Sequence, residues 1–434
     1  MIILLNKFCW AIATALIVLL GIYFTWKLKG IQFNVRAMIE SFKKKKGDKN
    51  GISPVSSLMM VLAGRIGVGS IAGVALAIYI GGVGSVFWMW VIAFVAASST
   101  FIETVLGIKY KEHDEGDIYK GGPSYYMKNG LGLKKLGSIY AIIVLIAYIG
   151  GFLGIQSNTI VKSFDSIFPV PTIVIATIIC FSTAIVIFGG VSKIVNVTNK
   201  LVPIMTILYV GIAFIIVLKN ISLFPTVLLT IFKDAFHIKS FLSAFLPTMI
   251  VGIQRGIFSN EAGLGTGSLA SSTTSDTDAV RNGFIQVVGI YITTLLICTS
   301  TAFVILTSDY YVVSFHDING IEMTQYAFTY HLGNLGNYIV FGSIILFSFS
   351  TILTGYYYGE SCLKYFFSKL HPKLLFLLKT SAILVVFLGC FLSPAILWNL
   401  VDVFVAFLAM INMPILYFLL QDVINACDDY HKKL

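Results

Sequence analysis

Charge is what this chain has least of. Asp, Glu, Lys and Arg make up 12% of its 434 residues, where a soluble domain carries about a quarter. Histidine is also sparse. His113, His237, His316, His331, His371 and His431 all fall in predicted loops or the tail, which argues against a zinc or Ser-His hydrolase buried in an apolar interior. There is no G-x-x-x-x-G-K-[ST] phosphate loop, so the chain does not itself hydrolyse ATP. No T-V-G-Y-G-like filter and no regular series of arginines suggests a voltage-gated channel. Cys9, Cys180, Cys298, Cys362, Cys390 and Cys427 are scattered without a metal-ligand spacing and read as small apolar packing residues. No feature points to an enzyme, a resident metal or a cofactor.

Apolar sequence is abundant. Hydrophobic residues make up 57%, and the mean hydropathy is +0.89. The apolar stretches recur near the roughly 20 residues a spanning helix needs. They predict an all-α integral membrane protein with about eleven spans, near 8–30, 55–82, 86–109, 137–160, 171–189, 201–219, 241–257, 282–306, 335–361, 374–391 and 395–421. The first stretch, Phe8 to Leu28, is too long for a signal-peptide core and lacks a small-residue cleavage site, so it is expected to stay as a helix.

A net charge of +10 raises the question of nucleic acid, but the basic residues sit between spans. Loop 31–54 carries Arg36, Lys43 to Lys46 and Lys49, and loop 110–136 carries Lys111, Lys120, Lys128, Lys134 and Lys135. The segments near 190–200 and 362–373 are basic as well, whereas Thr307 to Asn334 holds no Lys or Arg. That bias reads as topology. It predicts a multi-pass protein of the cytoplasmic membrane, N-terminus outside and C-terminus inside, with the lipid bilayer and no nucleic acid as its partner.

Setting the first helix apart leaves about five spans per half, and an odd number forces the halves to insert with opposite orientation. The expected organisation is an extra helix and basic cytoplasmic loop over 1–51, a first inverted repeat over 52–220, and a second repeat with a cytoplasmic tail over 221–434. The first span of the second repeat begins near Phe241.

Each half interrupts its first span with glycine. The first interruption runs from Arg65 through Gly67, Gly69 and Ser70 to Gly73. The second holds Arg255, Asn260 and Glu261 among Gly252, Gly256, Gly263, Gly265 and Gly267. Unwound backbone in a bilayer is tolerated only where protein buries it or where it lines a watery cavity. A matched pair of broken spans is the sequence pointer to the binding site of an inverted-repeat transporter. Small residues at such spacing also serve close helix packing, and a flexible cytoplasmic loop is the weaker alternative for the second stretch. The ionisable residues favour a site, because a charge inside an apolar span marks a functional or paired position. For Arg65 the expected partner is Glu103 in the following span.

Span 335–361 adds Ser348, Ser350, Thr351 and Thr354. Such hydroxyls either bond back to their own helix or supply oxygen ligands to a hard cation such as sodium. Gln156 and Asp402 are lone polar groups in their spans, suited to packing or to lining a cavity.

At these residues the chain resembles the alanine or glycine:cation symporter family. The resemblance runs from Trp10 to about Pro414, through Gly67 to Ala75, Phe87-Trp88-Met89-Trp90, Gly121-Gly122-Pro123 with Tyr126, Gln156-Ser157-Asn158, and Arg255 to Gly263. It implies a LeuT-like core of two five-helix inverted repeats preceded by one extra helix. It also implies inward transport of a small neutral amino acid (alanine, glycine or glutamine class) with sodium, or sometimes a proton. By that resemblance Gly67, Gly69, Ser70, Gln156 and Gly355 are expected to face substrate, and Ile66, Ser350 and Thr351 to hold sodium as co-substrate. Arg65, Glu103, Arg255, Asn260 and Glu261 are expected to act as structural or gating groups. The chain departs from the family pattern at Ser70 (usually Asn), at Val83 in Gly81 to Gly84 (usually Pro), at Thr293 (usually Asp) and at Gly355 (often Trp or Asn). The glycine at 355 predicts extra room for a larger side chain such as that of glutamine. Rival readings are a proton-coupled symporter, a nutrient receptor on a transporter fold, or a channel.

Overall fold

The computed structural model describes residues 2–43, 52–114, 119–165, 167–236, 245–309, 320–367 and 370–432. Lys44 to Lys46, Lys49, residues 241–244 at the start of the seventh expected span, and residues 310–319 of the loop without basic residues lie outside them. Apart from a short hairpin pairing Glu112–His113 with Tyr119–Lys120, the regular structure described is helical.

Among the described residues, nine helices are long and apolar enough to cross a membrane: Ile3–Lys27, Pro54–Gly81, Ser85–Lys109, Lys134–Asp165, Gly190–Lys219, Ala279–Leu306, Asn334–Phe366, Pro372–Gly389 and Pro394–Phe418. Two expected spans are not among these nine. The fifth is Thr172–Ile187, a 16-residue helix entered from Pro171. The seventh is described as Leu246–Asn260, 15 residues with Pro247 in its first turn, where a missing N–H costs nothing. Helices also form in segments that hydropathy reads as loop, among them Phe224–Ala235 and Ile321–Leu332, the latter holding His331.

Burial orders the bundle. In the 18-residue apolar stretch of each helix, 94% of Pro54–Gly81 is buried, against 22% of Pro372–Gly389 and 28% of Gly190–Lys219. The glycine-broken helix is therefore the axis of the molecule, and the uniformly greasy helices form its rim. Exposed Leu19, Phe181, Ile207 and Leu377 present a surface suited to lipid tails.

Glycine sets how closely the axis is wrapped. Gly252 and Gly256, one turn apart, lay Leu246–Asn260 against Ser85–Lys109. A Cβ at Gly252 would run into the Ser85 carbonyl, and one at Gly256 would lie 2.6 Å from Ile92 Cγ2. This is small-xxx-small packing, in which close backbone approach replaces the hydrophobic drive that lipid removes. Gly252→Ala is therefore expected to destabilise the fold by about 1–3 kcal/mol. Thermal unfolding in detergent checks this; an unchanged midpoint would show that the two helices have room to part.

Candidate functional site

The first break is local chemistry at Ile66 and Gly67. The helix Pro54–Arg65 starts on Ser53, whose hydroxyl accepts from the Ser56 N–H, and ends where Ile66 leaves helical geometry at φ −85° and ψ 74°. Gly67 is extended, at φ −126° and ψ −153°, and a new helix runs Val68–Gly81. Gly67 is needed for space: an added Cβ would meet Thr351 Oγ1 and lie 3.2 Å from Gln156 Oε1. The Val68 N–H donates to that same Gln156 oxygen at 3.2 Å, so Gln156 already touches the first turn after the break, while its amide nitrogen has no partner.

The second break is sharper. Helix Leu246–Asn260 stops at Glu261, which takes a left-handed conformation at φ 56°, and Gly263 and Gly265 follow at φ 82° and 87° before a helix resumes at Thr266–Ser271. Glycine adopts that region without strain. Asn260 stabilises the turn, accepting from the Ala262 N–H at 3.0 Å and donating to Thr294 Oγ1 at 3.1 Å.

The two breaks touch. Ser70 Oγ and Ser259 Oγ lie 2.9 Å apart, Ser259 continues to Cys298 Sγ at 3.0 Å, and Thr301 donates to the Ser70 carbonyl at 2.9 Å. Gly69 lets Phe258 in, since a Cβ there would lie 2.8 Å from its ring. Two π-helical stretches, Tyr148–Phe152 and Tyr291–Cys298, border this centre. Such insertions turn side chains out of the helical register and recur at functional sites.

Ser350 and Thr351 face the first break across the bundle. Thr351 donates to the Ala63 carbonyl at 2.9 Å and Ser350 lies 3.4 Å from it, while both also reach the Phe347 carbonyl. The carbonyl they meet is thus in the last turn before the break, three residues ahead of Ile66. Among the described residues no cluster of three or more His, Cys, Asp or Glu could hold a transition metal, whereas hydroxyls and carbonyls suit a hard cation.

Two expectations fail. Arg65 and Glu103 form no ion pair: Arg65 Nη1 donates to the Gln286 carbonyl at 3.3 Å, and Glu103 Oε1 accepts from Asn412 Nδ2 at 2.7 Å. The left-handed turn brings Glu261 to the end of the first half-helix, where it acts on Arg65 more strongly than Glu103 does. Glu261 in turn accepts from Tyr148 at 2.6 Å, Tyr358 at 3.1 Å and Thr266 at 3.2 Å. Nor does Gly355 leave a void. A Cβ there would press on Leu153 Cδ2 at 3.1 Å and Tyr148 Cδ1 at 3.3 Å, so this glycine serves helix packing.

Arg255 pairs with Asp402, both buried, and its guanidinium lies 4.8 Å from the Trp398 ring centroid. Trp398, Phe258, Phe152 and Tyr148 follow one another ring to ring at 4.8, 5.0 and 4.7 Å. Beyond this wall lies a cavity of about 750 Å³ that Asn6, Trp10, Tyr79, Arg255, Trp398 and Asp402 help to line. The other end of the bundle is tied by polar contacts. Lys111 reaches the carbonyls of Thr274 and Asp276 at 2.6 and 2.9 Å, and burial pushes this lysine down to about 8 against the pull of Asp276. Asp114 binds Lys364 at 2.9 Å.

Sequence reasoning missed Tyr148, Tyr358 and Thr266 as partners of Glu261, and Trp398 as partner of Arg255. Asp402 was visible as a lone acid in the last span, without a hint of which base it met.

A family model described as the sodium:alanine symporter family matches residues 1–434. The chain belongs to that family. It is 37% identical over 433 residues to the amino-acid carrier protein AlsT of Bacillus subtilis, covering 99% of this chain and 91% of the relative. It is 34% identical to the probable sodium/glutamine symporter GlnT of the same organism, over 99% and 90% of the two chains. To the sodium/alanine symporter AgcS of Methanococcus maripaludis it is 32% identical, over 94% and 92%. Membership of a transporter family agrees with the apolar helices in marking a multi-pass membrane protein, and the family is one of transporters, not of enzymes.

Proposed function

We propose that the protein imports a small neutral amino acid of the alanine, glycine or glutamine class together with sodium. The observation that carries this reading is the meeting of two broken helices through Ser70 and Ser259, with Thr351 and Gln156 packed on the first break. The half-helix N-terminus at Gly67 to Ser70 favours the substrate carboxylate. Gln156 and freed carbonyls then meet its ammonium. Sodium is then held by the hydroxyl oxygens of Ser350 and Thr351, whose hydrogens turn to the Phe347 carbonyl, with the Ala63 and Ile66 carbonyls as further ligands. The printed names of AlsT, GlnT and AgcS support an amino acid as cargo and, for the last two, sodium as the coupled ion.

The proposed architecture is an extra helix over 1–51 followed by LeuT-like inverted repeats over 52–220 and 221–434, with the N-terminus outside. In that orientation the cavity lined by Asn6 and Trp398 opens outward, and Arg255, Asp402 and the ring wall form the outer gate. The ties of Lys111 and Asp114 close the cytoplasmic side. One sodium suffices as driving force, since 100 mV gives about 2.3 kcal/mol per charge and a tenfold gradient adds about 1.4 kcal/mol.

Uptake of labelled alanine and glutamine into proteoliposomes tests this reading. Thr351→Ala is expected to raise the sodium concentration for half-maximal uptake by about tenfold, the effect of one lost ligand worth 1.4 kcal/mol, with little change in protein abundance. If choline replaces sodium without effect on the native protein, sodium coupling is wrong.

A further inference from the structure

Two buried carboxyls share the centre of the bundle with one arginine. Glu261 has the donors an ionised carboxylate requires: the hydroxyls of Tyr148, Tyr358 and Thr266. Glu103 does not. It is buried, its Oε1 accepts from Asn412, the backbone N–H of Gly265 is the one other donor turned toward the carboxyl, and its Oε2 has no hydrogen-bonded partner. Asn412 is itself fixed, because Tyr126 donates to its oxygen at 2.5 Å and its amide also donates to the Gly263 carbonyl. Arg65, the cation at this depth, lies beyond ion-pair reach and is bonded to the Gln286 carbonyl. One turn earlier on the same helix, the buried hydroxyls of Ser99 and Thr100 are unpartnered as well. An isolated carboxylate in such a place is prohibitively costly, whereas a neutral carboxyl is not.

We infer that Glu103 is a proton-binding site: it takes a proton from the outer side, holds it in the sealed conformation and releases it on the cytoplasmic side as the second break moves during transport. The other groups that face it hold it to this role. Arg65 faces both carboxyls, Glu261 more strongly than Glu103, and opposes the proton; Glu261 adds a like charge that favours it, and Tyr126 and Tyr140 come from the helices Pro123–Leu131 and Lys134–Ala147. The remaining charges on the helices packed around it are engaged elsewhere: Arg255 with Asp402, Arg281 with Asp276, and Lys109 with Asp422. The link to transport is mechanical. Asn412 bonds both Glu103 and the Gly263 carbonyl, so any rearrangement of the second break removes the donor that steadies Glu103. The inference rests on the transport reading for its cycle, but the protonation itself does not depend on which ion or amino acid is carried.

Two measurements on the full-length protein decide it. In detergent, thermal unfolding is followed across about pH 5 to 9. The folded protein would bind a proton that the unfolded chain releases, so stability falls as pH rises. Glu103→Gln, whose amide stands in for the neutral carboxyl, is expected to lose that slope, and Glu103→Asp to keep it. In proteoliposomes carrying an internal pH-sensitive dye, sodium-driven uptake of alanine by the native protein is expected to acidify the lumen. Parallel unfolding profiles for the native protein and Glu103→Gln would overturn the inference, as would alanine uptake without acidification. Should Glu103→Gln not fold, the native acidification decides alone. If the native protein takes up no amino acid, it is the symport reading that fails, and the unfolding profiles still decide the proton.

Discussion

Glu261→Ala is expected to destabilise the protein by about 3–5 kcal/mol, the range seen when one member of a buried charged group is removed. Glu261 occupies the left-handed position that ends its helix and collects three hydroxyls from three other segments, those of Tyr148, Tyr358 and Thr266. Truncation leaves those donors buried without an acceptor, at about 1–3 kcal/mol for each that finds no other. It also removes the negative charge that acts most strongly on Arg65 at the end of the first half-helix. Both breaks should therefore loosen together. Glu261→Gln keeps an acceptor oxygen and the side-chain length, so it is expected to cost less than half as much. Unfolding midpoints of the two variants in detergent check the ordering. Equal losses from Ala and Gln would show that charge alone matters, and no loss from either would remove Glu261 from the account of how the breaks are held.

The places where the helices break were legible because glycine and charge are anomalous inside an apolar run. Gly67 and the stretch from Glu261 to Gly265 are where the chain leaves helical geometry. Partners were not legible, for a physical reason. Hydropathy locates a residue along one helix axis, but an ion pair depends on how helices rotate and cross. Arg65 and Glu103 lie in consecutive spans, which made them natural partners on the page. Arg65 instead bonds a backbone carbonyl, and the acid that acts on it most strongly, Glu261, comes from almost two hundred positions away. Tyr148 and Tyr358 carried no signal at all, because tyrosine is common in this chain and suits membrane interfaces. Gly355 misled in the opposite direction. A missing side chain reads as empty volume, yet Leu153 and Tyr148 fill the space. Short helices are misread for a related reason: Thr172–Ile187 reads as a full span and Ile321–Leu332 as loop, because both are too brief for hydropathy to separate a span from a covering segment.

The pair that does form gives the second large effect. Arg255 and Asp402 meet under the cavity, with Trp398 and Phe258 against the guanidinium. Removing either charge leaves the other buried without its partner, so Arg255→Leu and Asp402→Leu should each cost about 3–5 kcal/mol. The double replacement should cost much less than their sum, since two apolar side chains of similar volume leave no charge stranded, and residues in contact couple in this way. Stability and transport should then part company. The doubly substituted protein is expected to fold yet take up amino acid at least about tenfold more slowly. Its ring wall would no longer carry an electrostatic latch to the helix Pro394–Phe418, and the outer gate could not be held shut while the cytoplasmic side opens. A four-member unfolding cycle measures the first claim and sodium-driven alanine uptake the second. Additive losses across the cycle would sink the pairing as a coupled unit. Native uptake in a stable double variant would show that the aromatic wall closes the outer path by itself, and that the ion pair serves only to seat one helix against another.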